Sequence, residues 1–336
     1  MIIDKALYSI DENKFSLKKD QSVAIIMRTK DRPILLARAI NSVISQTYNN
    51  WHLYLINDGG ETDPIDQIVK INQSDLVDKL TLIHNSTSLG LEAASNCGFK
   101  IANEEYLVVH DDDDSWHPDF LKETVNFLST SECAVAVLTN CTVIHEEIHN
   151  DIVKRISSSD WWYWKDTIDI SMLLKGRVTP PISLLIRMSV AKQIGGRNEN
   201  LPVLGDWDYN LRLFRVGEIK TLNKKLAYYH HRINLNNTTY GNSVIADESD
   251  HENYQIKYLD ILIRSSLIDY QTKCGKLNVL LNELEIKDNE LKNQINNLYN
   301  KLNDIQENVN YLRRKSFPLK KLAAKIRVKI RKWKNK

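Results

Sequence analysis

The sequence predicts an α/β protein: a layered α/β/α domain with a mostly parallel sheet, then a long coiled-coil helix and a short basic amphipathic helix. Three observations predict it. Short apolar runs recur through the first third of the chain with helically spaced segments between them, the pattern of parallel strands joined by helices. Between Leu277 and Leu312 apolar residues alternate at spacings of four and three, uninterrupted by Gly or Pro. After that seam the chain turns strongly basic.

Residues 1–21 are mixed and polar and read as an extension. The run Val23-Ala-Ile-Ile-Met27 is continuous enough for a strand buried on both faces. A polar turn, Arg28-Thr-Lys-Asp-Arg-Pro33, follows it. Pro33 suits the first turn of a helix, and Leu36, Ala39, Ile40 and Val43 keep helical spacing. Leu53-Tyr-Leu-Ile56 is the second strand and ends in Asn57-Asp-Gly-Gly60. Leu80-Thr-Leu-Ile83 is the third. The fourth, Tyr106-Leu-Val-Val109, runs through His110 into four consecutive carboxylates, Asp111 to Asp114, closed by Trp116 and Pro118. The α/β domain spans 22–245, a connecting helix 246–272, the coiled coil 273–315 and the basic tail 316–336.

Four adjacent like charges repel, and no interior accepts them bare. An acidic run can be a solvated loop. Placed at the end of a buried strand, it delivers carboxylates to the sheet edge where α/β proteins bind ligands. Alternate carboxylates there suit a hard divalent cation shared with a phosphate. Thr29 and Asp31, Asp58, and Asp111 to Asp114 all follow strand ends, so parallel strands would bring them to one edge.

Five motifs in order, loose singly and specific together, resemble the family 2 glycosyltransferases of the GT-A fold. They are Val23-Ala-Ile-Ile-Met-Arg-Thr-Lys-Asp-Arg-Pro33, Ile56-Asn-Asp-Gly-Gly60, Gly90-Leu-Glu-Ala-Ala-Ser-Asn96, His110-Asp-Asp-Asp-Asp-Ser-Trp116 and Gly205-Asp-Trp-Asp-Tyr-Asn-Leu-Arg212. The match covers about 22–245. Four positions depart from the family pattern: Arg28 stands for Pro, Asn57 for Asp, Ser95 for Arg and Gly205 for Glu. The loss of an Arg at Ser95 implies lost phosphate pairing or a different donor.

The resemblance implies an inverting transfer of a sugar from a nucleotide-diphosphate donor, with Mn²⁺ or Mg²⁺ as cofactor. Asp113 coordinates the metal, and Asp111 reaches the ribose or metal-bound water. Asp112 and Asp114 stand behind them, or Asp114 anchors the turn. Asp58 accepts from the N–H of a uracil-type base, with Thr29, Asp31 and Arg32 lining the same pocket beside Asn96; Thr29 also suits an ordinary turn. Asp206 is the base, with Asp208 its rival and an N-cap its bland role. One of His230 and His231 completes the metal shell, and Arg232 pairs with phosphate. Trp161, Trp162, Tyr163 and Trp164 form either an acceptor platform or core.

The formal charge of +2 conceals an asymmetry. From Arg313 to Lys336 there are twelve Lys or Arg and no acid, leaving about −10 on the rest. Leu319, Leu322, Ile326, Ile330 and Trp333 share one face of that tail, which suits an anionic membrane surface rather than nucleic acid. The seam favours a parallel dimer, with a trimer open, and Asp288 is its one polar core position. Cys97, Cys133, Cys141 and Cys274 lie far apart with no C-x-x-C pair, and neither a signal-like N-terminus nor a membrane-length apolar run is present. The expected setting is the cytoplasm, peripheral on the inner membrane face. The expected acceptor is a glycan or lipid-linked glycan in surface polysaccharide assembly. A sugar nucleotidyltransferase lacks its Gly-rich, Lys-containing turn in Arg28 to Pro33. A coiled-coil scaffold with a decayed sugar-nucleotide domain is disfavoured by the retained Asp58, Asp111, Asp113 and Asp206.

Overall fold

A computed structural model describes residues 15, 21–149, 152–161, 164, 166, 168–174, 180–232, 240, 254, 256–261, 289, 291–309, 311, 325–328 and 331. The chain forms two compact units, Met1–Leu259 and Asp260–Lys336. Trp162, Tyr163, Cys274, most of the N-terminal extension and of the connecting helix, the first part of the predicted seam and most of the basic tail lie outside the described residues.

The first unit is built on one sheet. Strand β1 (Val23–Thr29) lies parallel between β2 (Trp51–Asp58) and β4 (Tyr106–Asp111), with β3 (Leu80–Asn85) outside β2. All seven β1 residues are buried, as expected of a strand covered on both faces. Helix α1 (Pro33–Ile44), opened by Pro33, lays Leu36, Ala39, Ile40 and Val43 against one face. The short helices α2 (Asp63–Ile71) and α3 (Gln73–Leu76) link β2 to β3. Helix α4 (Leu91–Ile101) covers the opposite face, where Ala94 packs with Ala24, Ile26 and Ile56. The four expected parallel strands are therefore present, and each runs further than its apolar run.

The other half departs from the expectation of a mostly parallel sheet. After β5 (Ser115–Trp116) and α5 (Phe120–Thr130) come the long β6 (Ala134–His149) and β7 (Ile152–Asp160). Next follow α6 (Ile170–Leu174), β8 (Leu184–Arg187), α7 (Met188–Ile194), α8 (Gly205–Val216) and β9 (Glu218–Arg232). The sheet order is β3-β2-β1-β4-β8-β6-β9-β5, with β7 on β6. β8 runs antiparallel to β4 and β6, β5 to β9 and β7 to β6, whereas β6 and β9 are parallel. The sheet is mixed because β8, only four residues long, enters beside β4 in reverse. Trp161 is buried in the core on the α1 side, its ring edge-on to Tyr229 at 5.8 Å. Of the two readings of the aromatic cluster, core holds for Trp161.

In the second unit, residues 291–309 are helical. Leu291, Ile295, Leu298, Leu302, Ile305 and Val309 are all exposed along it. Residues 325–328 of the basic tail are likewise helical and exposed. No helix of the described residues is long and apolar enough to cross a membrane.

Candidate active site

The parallel registers bring the ends of β1, β2 and β4 to one edge, pairing Thr29 with Asn57 and Arg28 with Asp111. β5 pairs Ser115 with Tyr228, which draws the end of β9 beside the acidic turn. Trp116 fixes that turn from below, stacked on Phe120 at 4.4 Å and donating from Nε1 to the Ile182 carbonyl.

The four carboxylates are distributed among cations and donors. Asp111 Oδ1 pairs with Arg28 Nη2 at 2.7 Å, and Arg28 Nη1 donates to Ser95 Oγ at 3.2 Å. Arg28 thus links the side chain at position 95 to the acidic turn. Asp112 is wholly buried; its Oδ2 accepts from Thr29 Oγ1 at 2.6 Å and from Arg32 Nε at 3.2 Å. Burial pushes Asp112 up to about 6, with Arg32 opposing and Asp113 adding to the rise. Asp113 Oδ2 meets both Arg32 Nη1, at 3.2 Å, and Arg232 Nη2. Burial works against charge on Asp113, but Arg32 and Arg232 outweigh it and hold this carboxyl below the usual range. Asp114 is wholly buried, accepts the His230 backbone N–H at 2.8 Å through Oδ1, and leaves Oδ2 without a hydrogen bond among the described residues. Burial and the neighbouring Asp113 and Asp111 raise it well above the ordinary range, which favours its neutral form.

Strand alternation puts His230 on the Arg232 side of β9 and His231 on the other. Both ring nitrogens of His230 are engaged, with Ser115 Oγ and with Glu146 Oε2, each at 2.8 Å. The His231 ring lies against Tyr229 at 4.7 Å and His145 at 6.0 Å. Sequence reasoning missed Glu146 and Arg38. Arg38 Nη1 donates to Glu146 Oε2 at 2.7 Å, and its Nη2 reaches the Asp113 carbonyl. Single charges in a helix and a strand 108 positions apart carry no pattern that sequence could expose.

Three residues expected at the donor pocket make contacts that organise loops. Both Asp58 oxygens are occupied: Oδ1 accepts from Asn85 Nδ2 at 3.0 Å and Leu89 N at 2.9 Å, and Oδ2 from Ser88 Oγ at 2.8 Å and Gly90 N at 3.0 Å. A Cβ on the neighbouring Gly59 would sit 2.4 Å from the Ser88 nitrogen, so only glycine lets that loop close in. Asp31 accepts the Glu61 N–H at 2.9 Å. Asn96 donates to the Arg197 carbonyl and accepts the Arg197 N–H, both at 2.8 Å, tying α4 to the loop before α8.

That loop leads to the predicted base. Gly205 opens α8, and a side chain there would collide with Glu92, whose Oε1 lies 2.2 Å from an added Cβ. The N-cap is Leu204, at a left-handed φ of 67°, so the N-cap role for Asp206 does not hold. Asp206 is half-buried, among the described residues its Oδ1 accepts only its neighbour Trp207 N, at 2.9 Å, and it lines a cavity with Ser95, Asn96, Arg197, Tyr209 and Asn210. Asp208 is fully engaged: Oδ2 takes two hydrogen bonds from Arg212, at 2.9 and 2.6 Å, and Oδ1 accepts from Tyr258. Of the two carboxylates, Asp206 is the one with fewer hydrogen bonds among the described residues.

No cluster of three or more His, Cys, Asp or Glu is arranged to hold a metal among the described residues. The two acidic positions nevertheless fit a shared cation. Asp111 and Asp113 keep 19% and 15% exposure, and each spends one oxygen on arginine while the other has no hydrogen bond among the described residues. Two hard oxygen donors beside a diphosphate are what Mg²⁺ or Mn²⁺ accepts.

Residues 24–195, half the chain, match the family described as glycosyl transferase family 2. The chain belongs to that family. It is a glycosyltransferase, in line with its relatives. The PGL/p-HBAD biosynthesis glycosyltransferase of Mycobacterium tuberculosis is 27% identical over 218 residues, which cover 64% of this chain and 79% of that protein. WcaA of Escherichia coli K12, named for colanic acid biosynthesis, is 33% identical over 106 residues, 31% of this chain and 37% of WcaA. Among solved structures, Staphylococcus aureus TarS 1–349 in complex with UDP-GlcNAc is similar with a TM-score of 0.51 and 17% identity. That likeness covers 63% of this family 2 glycosyltransferase and 59% of the TarS chain, and it shows a GT-A-like fold.

Proposed function

We propose that this enzyme is a metal-dependent, inverting glycosyltransferase that moves a sugar from a nucleotide-diphosphate donor, a UDP-sugar, to a hydroxyl of a glycan or lipid-linked glycan acceptor. The observation that carries the reading is the meeting of Asp111, Asp112 and Asp113 with Arg28, Arg32 and Arg232 at one sheet edge, with Asp206 lining a cavity from α8. TarS, which shares the fold, is solved with UDP-GlcNAc, and the name of WcaA supports a surface-polysaccharide setting.

Asp111 and Asp113 would hold the cation, which when bound offsets the charge that gathers on the departing diphosphate. Arg28, Arg32 and Arg232 already sit on those carboxylates and would place further positive charge beside a bound diphosphate. Asp206 takes the acceptor hydroxyl proton; the freed oxygen attacks the anomeric carbon from the face opposite the diphosphate, whose glycosidic C–O bond breaks with inversion. Thr29 holds Asp112 in the acidic turn. Asp31, Asp58 and Asn96 shape the surrounding loops.

The exposed apolar stripe from Leu291 to Val309 fits a parallel coiled coil with a second copy, and the basic tail fits an anionic membrane face. The testing experiment is a panel of UDP-glucose, UDP-N-acetylglucosamine and GDP-mannose with Mn²⁺, scoring release of free nucleotide diphosphate. Metal-dependent hydrolysis of one donor is expected. No release from any donor, with or without acceptor extracts, would overturn the reading.

A further inference from the structure

The first turn of α8 carries the base but is poorly secured by itself. Leu204 sits in the left-handed region, where a branched side chain is strained, and Gly205 next to it is the least restrained of residues. Such a conformation persists only where its surroundings over-determine it. The fastening is Asp208. Its backbone N–H donates to the Leu204 carbonyl at 3.0 Å, closing the turn, and its buried carboxylate joins two further anchors. One is Arg212, which grips Oδ2 twice while Nη1 donates to the carbonyls of Ile194, at 2.9 Å, and Gly196, at 3.0 Å. The other is Tyr258, whose hydroxyl donates to Oδ1 and whose ring packs on Trp207 at 5.2 Å.

Tyr258 lies 50 residues beyond Asp208 and well past the family match, which ends at residue 195. It belongs to a short helical segment, 256–261, beyond the last strand. Nothing in the fold of the sheet requires that segment to return to α8. We propose that Tyr258 is a positioning residue of the active site: through Asp208 it holds the Leu204–Gly205 turn, and so the carboxylate of Asp206, in the geometry needed to take the acceptor proton. This rests on the reading of Asp206 as base. Burial and the Asp208 charge raise the Tyr258 phenol, so its hydroxyl stays a donor across the working pH range.

The test uses the full chain with Mn²⁺ and whichever of UDP-glucose, UDP-N-acetylglucosamine and GDP-mannose is turned over. Tyr258→Phe keeps the ring on Trp207 and deletes one charge-assisted hydrogen bond. It should lower kcat by roughly tenfold and leave the donor KM at the wild-type value, with the thermal midpoint lowered only by the few degrees that one lost hydrogen bond to a buried carboxylate costs. Asp208→Asn combined with Tyr258→Phe should be much less than multiplicative, because both act on one contact. Unchanged kcat in Tyr258→Phe overturns the proposal. A fall in kcat matched by a change in donor KM also overturns it, since that marks a general loosening of the site. Asp206→Asn is measured alongside: if it is active, the assignment of the base fails; if it is dead while Tyr258→Phe is normal, only the positioning claim fails.

Discussion

Arg28 and Ser95 provide a test of how the site tolerates its departures from the family pattern. Arg28 is 8% exposed and Asp111 19% exposed, so removing the guanidinium strands a poorly solvated carboxylate. Breaking one side of such a pair costs about 3 kcal/mol. In a domain of this size that corresponds to a fall in Tm of roughly 6–12 °C for Arg28→Ala. Ser95 Oγ stands 3.2 Å from the vacated guanidinium, so Ser95→Arg in the same background has a cation to offer Asp111. The double variant should regain at least half of the loss. Ser95→Arg alone should destabilise, because it sets two guanidiniums against one carboxylate in a buried space. The assay is thermal and urea unfolding of all four proteins, read as a double-mutant cycle. Coupling of about 1–3 kcal/mol is expected. Additivity within about 0.5 kcal/mol would refute the idea that one guanidinium has two alternative addresses.

Other expectations follow from the same geometry. Asp113→Asn should abolish most turnover while the fold survives, and excess chelator should do the same to the wild type; full turnover in either case would remove the metal from the account. Four hydrogen bonds outweigh burial and hold Asp58 below its ordinary range, so its stabilisation is present above about pH 4 and fades as pH falls through the folded value. Asp58→Asn should flatten that acid limb in unfolding midpoints measured from pH 5 to 3. Truncation after residue 270 should leave an active monomer by light scattering, and removal of Leu319 to Lys336 should abolish binding to anionic vesicles while the oligomer persists.

The half of the sheet built from β1 to β4 was legible because strands covered on both faces show as unbroken apolar runs, and their parallel ends converge without tertiary detail. The mixed half was not. Reversal of β8 depends on where its four residues find free backbone partners, and those lie far off on β4 and β6. Within the site, the acidic run announced itself by charge density, whereas Glu146 and Arg38 are ordinary residues that the fold alone brings together. Asp58 and Asn96 illustrate another limit. A carboxylate or amide that closes a loop and one that reads a ligand look alike in sequence, and the loop contacts of these two residues come from elements far apart in the chain. Asp206 and Asp208 look alike in sequence too, and the structure shows the hydrogen-bond partners of Asp208, Arg212 and Tyr258, that no spacing could reveal.

The division of labour between the acidic edge and α8 is tested most directly by steady-state turnover of Asp206→Asn, with donor affinity measured on the same protein and Asp208→Asn as comparison. Asp206→Asn should transfer sugar roughly 10²-fold or more slowly while binding the donor as the wild type does, and Asp208→Asn should retain more activity. An Asp206→Asn variant that turns over at the wild-type rate, or an Asp208→Asn variant that alone is dead, would contradict the account.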